Sequence, residues 1–200
     1  MRVSDARNEG RSLIDFCLSD NDVILKLAAC DLLDDTLAVL NISTDNVYVL
    51  PTAKFVLAHA IQAYSSVVSA RVTQFLESVQ TIDWEISPEE VLLFQDTLGI
   101  DAGEAILYSA TGALQNFIVA TGDKVSLKAL AKESACQHIA ARLAGRVICL
   151  EQIIQLCIGR AGFDTIKSKI VPARRCDKAL KAIFGSGLRA AIGDSGSLAS

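Results

Sequence analysis

Proline, glycine, aromatic residues and charge are all scarce in this chain. Its 200 residues include 3 Pro and 12 Gly, with 6% aromatic and 21% charged residues against 51% hydrophobic residues. This balance excludes a disordered, collagenous or linker-like chain. It predicts one compact folded unit, because a chain of this length can bury a sizeable core but cannot form two full-sized enzymes.

Long apolar runs and paired cysteine motifs are also missing. No apolar stretch approaches the ~18 residues of a membrane-spanning helix, and the first nine residues are polar and mixed in charge. The six cysteines form no C-x-x-C pair, and most stand among aliphatic residues, as is typical of buried free thiols. We therefore expect a cytoplasmic protein that is neither exported nor embedded in a membrane.

Positive charge is concentrated near the C-terminal end. The formal net charge is −4, which argues against binding nucleic acid through bulk charge. Residues 159–189 nevertheless contain eight Lys and Arg and only two Asp, so this segment carries +6 and the rest of the chain −10. Any contact with nucleic acid is therefore expected to be local.

Short apolar runs that end in polar turns alternate with stretches of helical periodicity. The predicted strands cover residues 12–18, 46–50, 116–120 and 145–150, and the predicted helices cover 23–40, 53–76, 88–98, 101–114 and 127–143. This alternation predicts a three-layer α/β/α fold with a central, mainly parallel sheet, plus C-terminal helices. The expected division is an α/β domain at 1–155, a basic helical extension packed on it at 156–185, and a flexible tail at 186–200.

Acidic residues lie where the loops of such a sheet meet. Asp20 and Asp123 directly follow predicted strands, and Glu104 lies at the start of the helix before the Asp123 strand. Loops at the carboxyl ends of parallel strands converge on one crevice. Three carboxylates there repel one another, and a hard divalent cation such as Mg²⁺ or Mn²⁺ resolves this. Such an ion can generate hydroxide and stabilise the charge that develops during phosphodiester hydrolysis.

These acids and their neighbours resemble motifs of the PIN domain family, whose members are mainly metal-dependent ribonucleases and include many toxins of bacterial toxin–antitoxin pairs. Residues 19–25, SDNDVIL, resemble the first-strand motif. Residues 98–105, LGIDAGEA, resemble the Gly-Glu-Ala helix start of one branch, and residues 118–124, IVATGDK, resemble the late strand ending in Thr-x-Asp. The resemblance spans roughly residues 12–155.

The resemblance implies an endoribonuclease in which Asp20, Glu104 and Asp123 hold Mg²⁺ or Mn²⁺. Asp22 and Asp101 are further candidate ligands, although Asp22 also suits a helix-start charge and Asp101 an N-cap. Each of the three principal acids has a structural alternative as well, Asp20 as a helix cap, Glu104 as a first-turn acid and Asp123 as a turn residue.

The implied partners are RNA and, for a toxin, an antitoxin-like protein. Lys124, Arg174 and Arg175 are the candidates for orienting RNA phosphates. The basic segment 159–189 also suits an ordinary solvated helix face. A homodimer is a further expectation, since the apolar stripe Ile153, Ile154, Leu156 and Ile158 suits a dimer interface as well as a core.

An inactive PIN-like module that binds RNA or protein is the alternative. The family usually has another acid early in the helix after the second strand, yet no Asp or Glu lies between Val47 and Leu76, where Lys54 is an alternative source of positive charge. Val125 and Ser126 stand where many members carry a further acid. A third reading is a different α/β hydrolase that acts on a small phosphate ester.

Overall fold

Five parallel strands form one sheet at the centre of the protein. The computed structural model describes residues 14–95 and 97–184. Within these ranges the strands are β1 (Phe16–Ser19), β2 (Val47–Val49), β3 (Gln80–Thr81), β4 (Phe117–Ala120) and β5 (Val147–Ile148). They lie in the order β3-β2-β1-β4-β5, and every neighbouring pair is parallel. The predicted parallel sheet is confirmed, whereas the two-residue edge strand β3 was not predicted.

Helices connect the strands and follow the last one. Those in the described ranges are α1 (Asn21–Ala29), α2 (Leu33–Leu40), α3 (Ala53–Ala60), α4 (Ser66–Ser78), α5 (Pro88–Gln95), α6 (Ala102–Ala110), α7 (Lys124–Lys132), α8 (Gln137–Leu143), α9 (Leu150–Ala161), α10 (Phe163–Ala173) and α11 (Lys178–Phe184).

The helix contacts divide into two sets. Helix α1 contacts α2, α3 and α4, whereas α6 contacts α5 and α8, and α7 contacts α8. From β1 to β3, each new strand lies further toward one edge of the sheet. After β3 the chain returns past β1, and β4 and β5 lie further toward the other edge. Because parallel crossovers are right-handed, this reversal directs the two sets to opposite faces. The fold is therefore α/β and is compatible with the expected three-layer arrangement.

Three predicted helices are each two helices in the structure. The 23–40 prediction breaks between α1 and α2, where Asp31 adopts φ 58°. The 53–76 prediction breaks before Ser65, which caps α4 by accepting a hydrogen bond from the Val68 N–H at 3.4 Å. The 127–143 prediction breaks between α7 and α8. Apolar periodicity continues across each break because both segments bury side chains in the same core.

The C-terminal helices pack on this core. Helix α9 runs across the predicted boundary after residue 155 and contacts α2 and α10. The stripe proposed for a dimer is divided, since Ile153 and Ile154 are buried while Leu156 is 45% exposed. No helix in the described ranges is long and apolar enough to cross a membrane. The predicted flexible tail at 186–200 lies outside the described residues.

Candidate functional site

Strands β1 and β4 end side by side, at the position where the strand order reverses. Ser19 pairs with Ala120 at the ends of these strands, and the Asp20 N–H donates to the Ala120 carbonyl at 2.9 Å. The two segments diverge beyond this point. The segment after β1 enters α1, and the segment after β4 forms residues Thr121–Asp123. A crevice outside the carboxyl ends of the strands at such a reversal is the usual ligand site of open α/β sheets.

An acidic cavity of about 870 Å³ occupies this crevice. The carboxylates that line this acidic cavity are Asp20, Asp22, Asp101, Glu104, Asp123, Glu151 and Asp177. The structure therefore brings together all five acids proposed from the sequence as ligands or alternative ligands. Glu151 and Asp177 were missed, although Glu151 directly follows the predicted strand 145–150, as Asp20 follows the predicted strand 12–18 after one serine.

A capping box holds Asp101 and Glu104 at the start of α6. The Glu104 N–H donates to Asp101 Oδ1 at 2.8 Å, and the Asp101 N–H donates to Glu104 Oε2 at 2.9 Å. Glu104 is only 8% exposed. Burial, together with the negative charges of Asp101 and Asp123, raises the pKa of Glu104 to about 7, although hydrogen bonding opposes the shift.

Asp123 caps α7 through one of its two carboxylate oxygens. Its Oδ1 accepts hydrogen bonds from the N–H groups of Val125 and Ser126 at 2.6 and 3.0 Å. The Ser126 hydroxyl is buried and lies 2.6 Å from the Tyr108 hydroxyl, one member of the pair donating to the other. Tyr108 and Ser126 were not predicted from the sequence, because this contact joins residues of two different helices.

Asp20 differs from the other acids because capping does not hold its side chain. It occupies the N-cap position of α1, as the sequence predicted, but its carboxylate makes no cap hydrogen bond. Burial and the nearby charges of Asp22 and Asp101 raise its pKa to about 6. Next to it, Asn21 Oδ1 is buried without a hydrogen-bond partner in the described part of the chain. The backbone N–H groups of Asn21 and Asp22 oppose the pKa shift at Asp20, so among the described residues the oxygen that lacks a partner at this wall is Asn21 Oδ1.

Asp22 lies in a chain of ion pairs at the rim. Lys26 contacts Asp22 at 2.6 Å and Asp177 at 2.8 Å. Burial acts against the charged Lys26 ammonium, but these two carboxylates outweigh it and raise the pKa of Lys26. A Cβ at Gly122 would lie 3.3 Å from Asp22 Oδ2, so a residue with a side chain would crowd this carboxylate. This placement matches the helix-start role that the sequence left open for Asp22.

The basic residues proposed for phosphate contacts lie in different places. Lys124 lines the acidic cavity, and its ammonium contacts Glu151 at 2.6 Å. Arg174 and Arg175 are not among the lining residues, and Arg175 lines a separate cavity of about 580 Å³. Lys178 lines the acidic cavity instead. Lys54, the alternative cation of α3, is exposed and does not line this cavity.

The donor chemistry of the acidic cavity suits a hard cation, but the side chains are not arranged around one. Carboxylate oxygens are the ligands that Mg²⁺ and Mn²⁺ prefer. Among residues 14–95 and 97–184, no three His, Cys, Asp or Glu side chains are grouped as they would be around a metal ion. Binding at Asp20, Glu104 and Asp123 therefore requires their carboxylates to turn toward one another.

No protein-family model, curated protein or solved structure matches the chain. Any function is therefore inferred from the cavity itself, which combines several carboxylates, one of them buried, with two raised carboxyl pKa values and a position at the carboxyl edge of a parallel sheet.

Proposed function

We propose that this protein is a PIN-like, metal-dependent endoribonuclease whose active site is the acidic cavity. The observation that carries the proposal is the convergence of Asp20, Asp101, Glu104 and Asp123 on one cavity beside the ends of β1 and β4. The raised pKa values of Asp20 and Glu104 reflect burial and mutual repulsion of these carboxylates. A divalent cation would relieve that repulsion.

In this proposal Asp20, Glu104 and Asp123 hold Mg²⁺ or Mn²⁺, while Asp101 positions Glu104 through the capping box. Glu104 Oε2 and Asp123 Oδ1 are the oxygens used for capping, and the Ser126 hydroxyl also acts on the Glu104 carboxylate, so a cation would compete with that hydroxyl. When bound, the cation would supply a water of lowered pKa and compensate the charge that develops on the RNA phosphodiester.

Lys124 and Lys178 are the basic residues placed to meet RNA at the cavity. The Lys124 ammonium forms an ion pair with Glu151, so an RNA phosphate would compete with the Glu151 carboxylate for it. Arg174 and Arg175 belong to the proposal only as contacts to RNA that extends beyond the cavity. A toxin-type role with an antitoxin-like partner is a narrower form of the same proposal, and unchanged host growth on expression without a neighbouring antitoxin would contradict it.

Calorimetric titration of Mn²⁺ tests the metal site without knowledge of the substrate. We expect micromolar binding by the wild type and its loss in Asp20→Asn and Asp123→Asn. Asn replaces Asp at an N-cap with little cost, so Asp123→Asn should still fold. Asp45→Asn, at an exposed aspartate outside the cavity, is the matched control and should bind as the wild type does.

A screen of RNA substrates tests the chemistry. We expect cleavage of at least one RNA by the Mn²⁺-loaded wild type, and loss of that cleavage in chelator and in Asp20→Asn. If the wild type binds Mn²⁺ but leaves a broad panel of RNAs intact, the nuclease proposal fails while the metal site stands. If Mn²⁺ does not bind, both fail.

The alternative is a PIN-like module that no longer cleaves RNA and acts by binding RNA or protein. The observation that favours it is the apolar wall that α3 contributes to the acidic cavity, formed by Val56, Leu57 and Ala60 where the family usually has an acid. This alternative predicts RNA retention that is unaffected by chelator and weakens with salt, because phosphate contacts release counterions. A gel-shift series with and without chelator separates it from the nuclease.

A further inference from the structure

Two cysteines that are far apart in the sequence meet beside the acidic cavity. Cys30 follows the last residue of α1 and is fully buried, whereas Cys176 lies just before α11 and is partly exposed. Each thiol shifts the pKa of the other, and Cys176 lines the cavity of about 580 Å³ together with Ala29, the residue before Cys30. A second contact fixes the same approach, since Lys26, one helical turn before Cys30, pairs at 2.8 Å with Asp177, the residue after Cys176.

The two thiols differ in reactivity. The hydrogen bond from Cys30 lowers the pKa of Cys176, and the Lys26 ammonium acts in the same direction against burial and the charge of Asp177. The same hydrogen bond and burial raise the pKa of Cys30, which keeps its proton. Cys176 is therefore the more acidic and the more exposed of the two thiols, and it is the one that an oxidant can reach. Cys17, Cys136 and Cys157 are buried, and burial raises the pKa of each.

We propose that Cys30 and Cys176 form a reversible disulfide when the protein meets a peroxide. The Cys176 thiolate attacks the O–O bond, so that an S–O bond forms, hydroxide leaves and Cys176 becomes a sulfenic acid. The Cys30 sulfur then attacks the Cys176 sulfur, the S–S bond forms as the S–O bond breaks, and the Cys30 proton leaves with the hydroxide as water. The two thiols lose two electrons in total, and the peroxide gains them. A thiol reductant reverses the reaction.

The disulfide would tie the rim of the acidic cavity to α1. Asp177, Lys178 and Ala179 directly follow Cys176 and line this cavity, and so do Asn21 and Asp22 at the start of α1. This inference goes beyond the proposed nuclease activity and does not depend on it, because the thiol chemistry can be measured without metal or RNA.

Peptide mapping of the full chain tests the proposal. Reduced protein is treated with hydrogen peroxide under native conditions, its remaining thiols are alkylated after denaturation, and the digest is analysed by mass spectrometry. We expect the number of alkylated thiols to fall by two from the six cysteines of the chain, with a peptide that joins Cys30 to Cys176 and separates on reduction. No variant is needed for this measurement.

Three variants define the order of the steps. Cys149→Ser removes another partly exposed cysteine and should leave the crosslink unchanged. Cys30→Ser should prevent the crosslink and let dimedone trap Cys176 as the sulfenic acid, whereas Cys176→Ser should leave Cys30 unoxidised. Wild-type protein in which both cysteines remain alkylated, or in which Cys176 joins a different cysteine, would overturn the proposal.

Discussion

At the scale of single residues, Glu104 is the one Asp or Glu of the described part of the chain that is buried. It accepts a hydrogen bond from the Asp101 N–H, and two other carboxylates act on it. A buried acid in this setting is destabilising when ionised, and the cost appears as a raised pKa. Such carboxylates are common at functional sites, although ion-pair networks that only stabilise a fold also perturb pKa values.

The stability of the metal-free protein should therefore fall as the pH rises. The pKa of Glu104 is raised from its ordinary value of 4.5 to about 7, so between these values the folded state keeps a proton that the unfolded chain has released. We expect the free energy of unfolding to decrease by on the order of 3 kcal/mol across this range. Urea denaturation in chelator at a series of pH values measures it.

Glu104→Gln removes the titrating group and keeps an acceptor for the Asp101 N–H. Its free energy of unfolding should fall less with pH than that of the wild type, while Glu77→Gln on the exposed side of α4 should follow the wild-type curve. Identical curves for wild type and Glu104→Gln would show that Glu104 does not cause the fall in stability with pH.

At the scale of secondary-structure elements, Arg142 joins α8 to α5 and α6. Its guanidinium donates to both carboxylate oxygens of Glu90 at 2.8 and 2.6 Å, to Thr111 Oγ1 at 2.9 Å and to the Tyr108 carbonyl at 3.2 Å. The side chain is 21% exposed and that of Glu90 15%, so water competes only partly for these bonds. The planar donor fork fits this set in a way that a lysine ammonium cannot reproduce.

Arg142→Lys should lower the free energy of unfolding by about 2 kcal/mol, because several of these bonds are lost at once. The Arg142 hydrogen bonds lower the pKa of Glu90, so their contribution is present above the ordinary carboxyl range and declines as Glu90 is protonated. Chemical denaturation at neutral and acidic pH should therefore show a smaller difference in acid. Arg160→Lys, which loses one bond to the Ala38 carbonyl, is the control and should cost well under 1 kcal/mol.

The end of α2 offers a test of backbone strain. Asn41 ends the helix with φ 55°, in the left-handed region, and is exposed. Asn41→Gly should raise the free energy of unfolding by about 0.5 kcal/mol, whereas Asn41→Ala should lower it by about 1 kcal/mol. Thermal denaturation of the two variants measures both, and equal melting temperatures would show that this position carries no strain.

At the scale of the whole molecule, the acidic cavity is assembled from every part of the chain. Its walls come from the segments that follow β1 and β4, from α3, from the starts of α6 and α9, and from Asp177 with the start of α11. A ligand that binds only this assembled cavity stabilises the entire fold, because the unfolded chain has no equivalent site.

Mn²⁺ should therefore raise the melting temperature. At a concentration one hundred times its dissociation constant it would add about 2.7 kcal/mol to the free energy of unfolding. We expect this shift to disappear in Asp123→Asn and to persist in Asp45→Asn. Because Glu104 must lose its proton to bind a cation, the shift should also grow between pH 6 and pH 8 by differential scanning fluorimetry; a shift of the same size in Asp123→Asn would place the metal elsewhere.

Local signals identified much of the fold and part of the cavity. Strands β1 and β4 were predicted from apolar runs, and the starts of α5 and α6 from Ser87-Pro88 and Asp101. The breaks within three predicted helices were missed, because the apolar pattern persists through them. Strand β3 was missed because its two residues, Gln80 and Thr81, are both polar, whereas the equally short β5 lies in an apolar run.

The sequence by itself determined that strands and helices alternate and that an acid follows each of β1 and β4, because strand runs, caps and turns depend on neighbouring residues. Only the tertiary structure decided which acids share the cavity, that Lys26 joins Asp22 to Asp177, and that Cys30 meets Cys176. The contacts of Lys26 with Asp177 and of Cys30 with Cys176 join residues from opposite ends of the chain. They depend on the order of the strands and the path of the last helices, which no short stretch of sequence specifies.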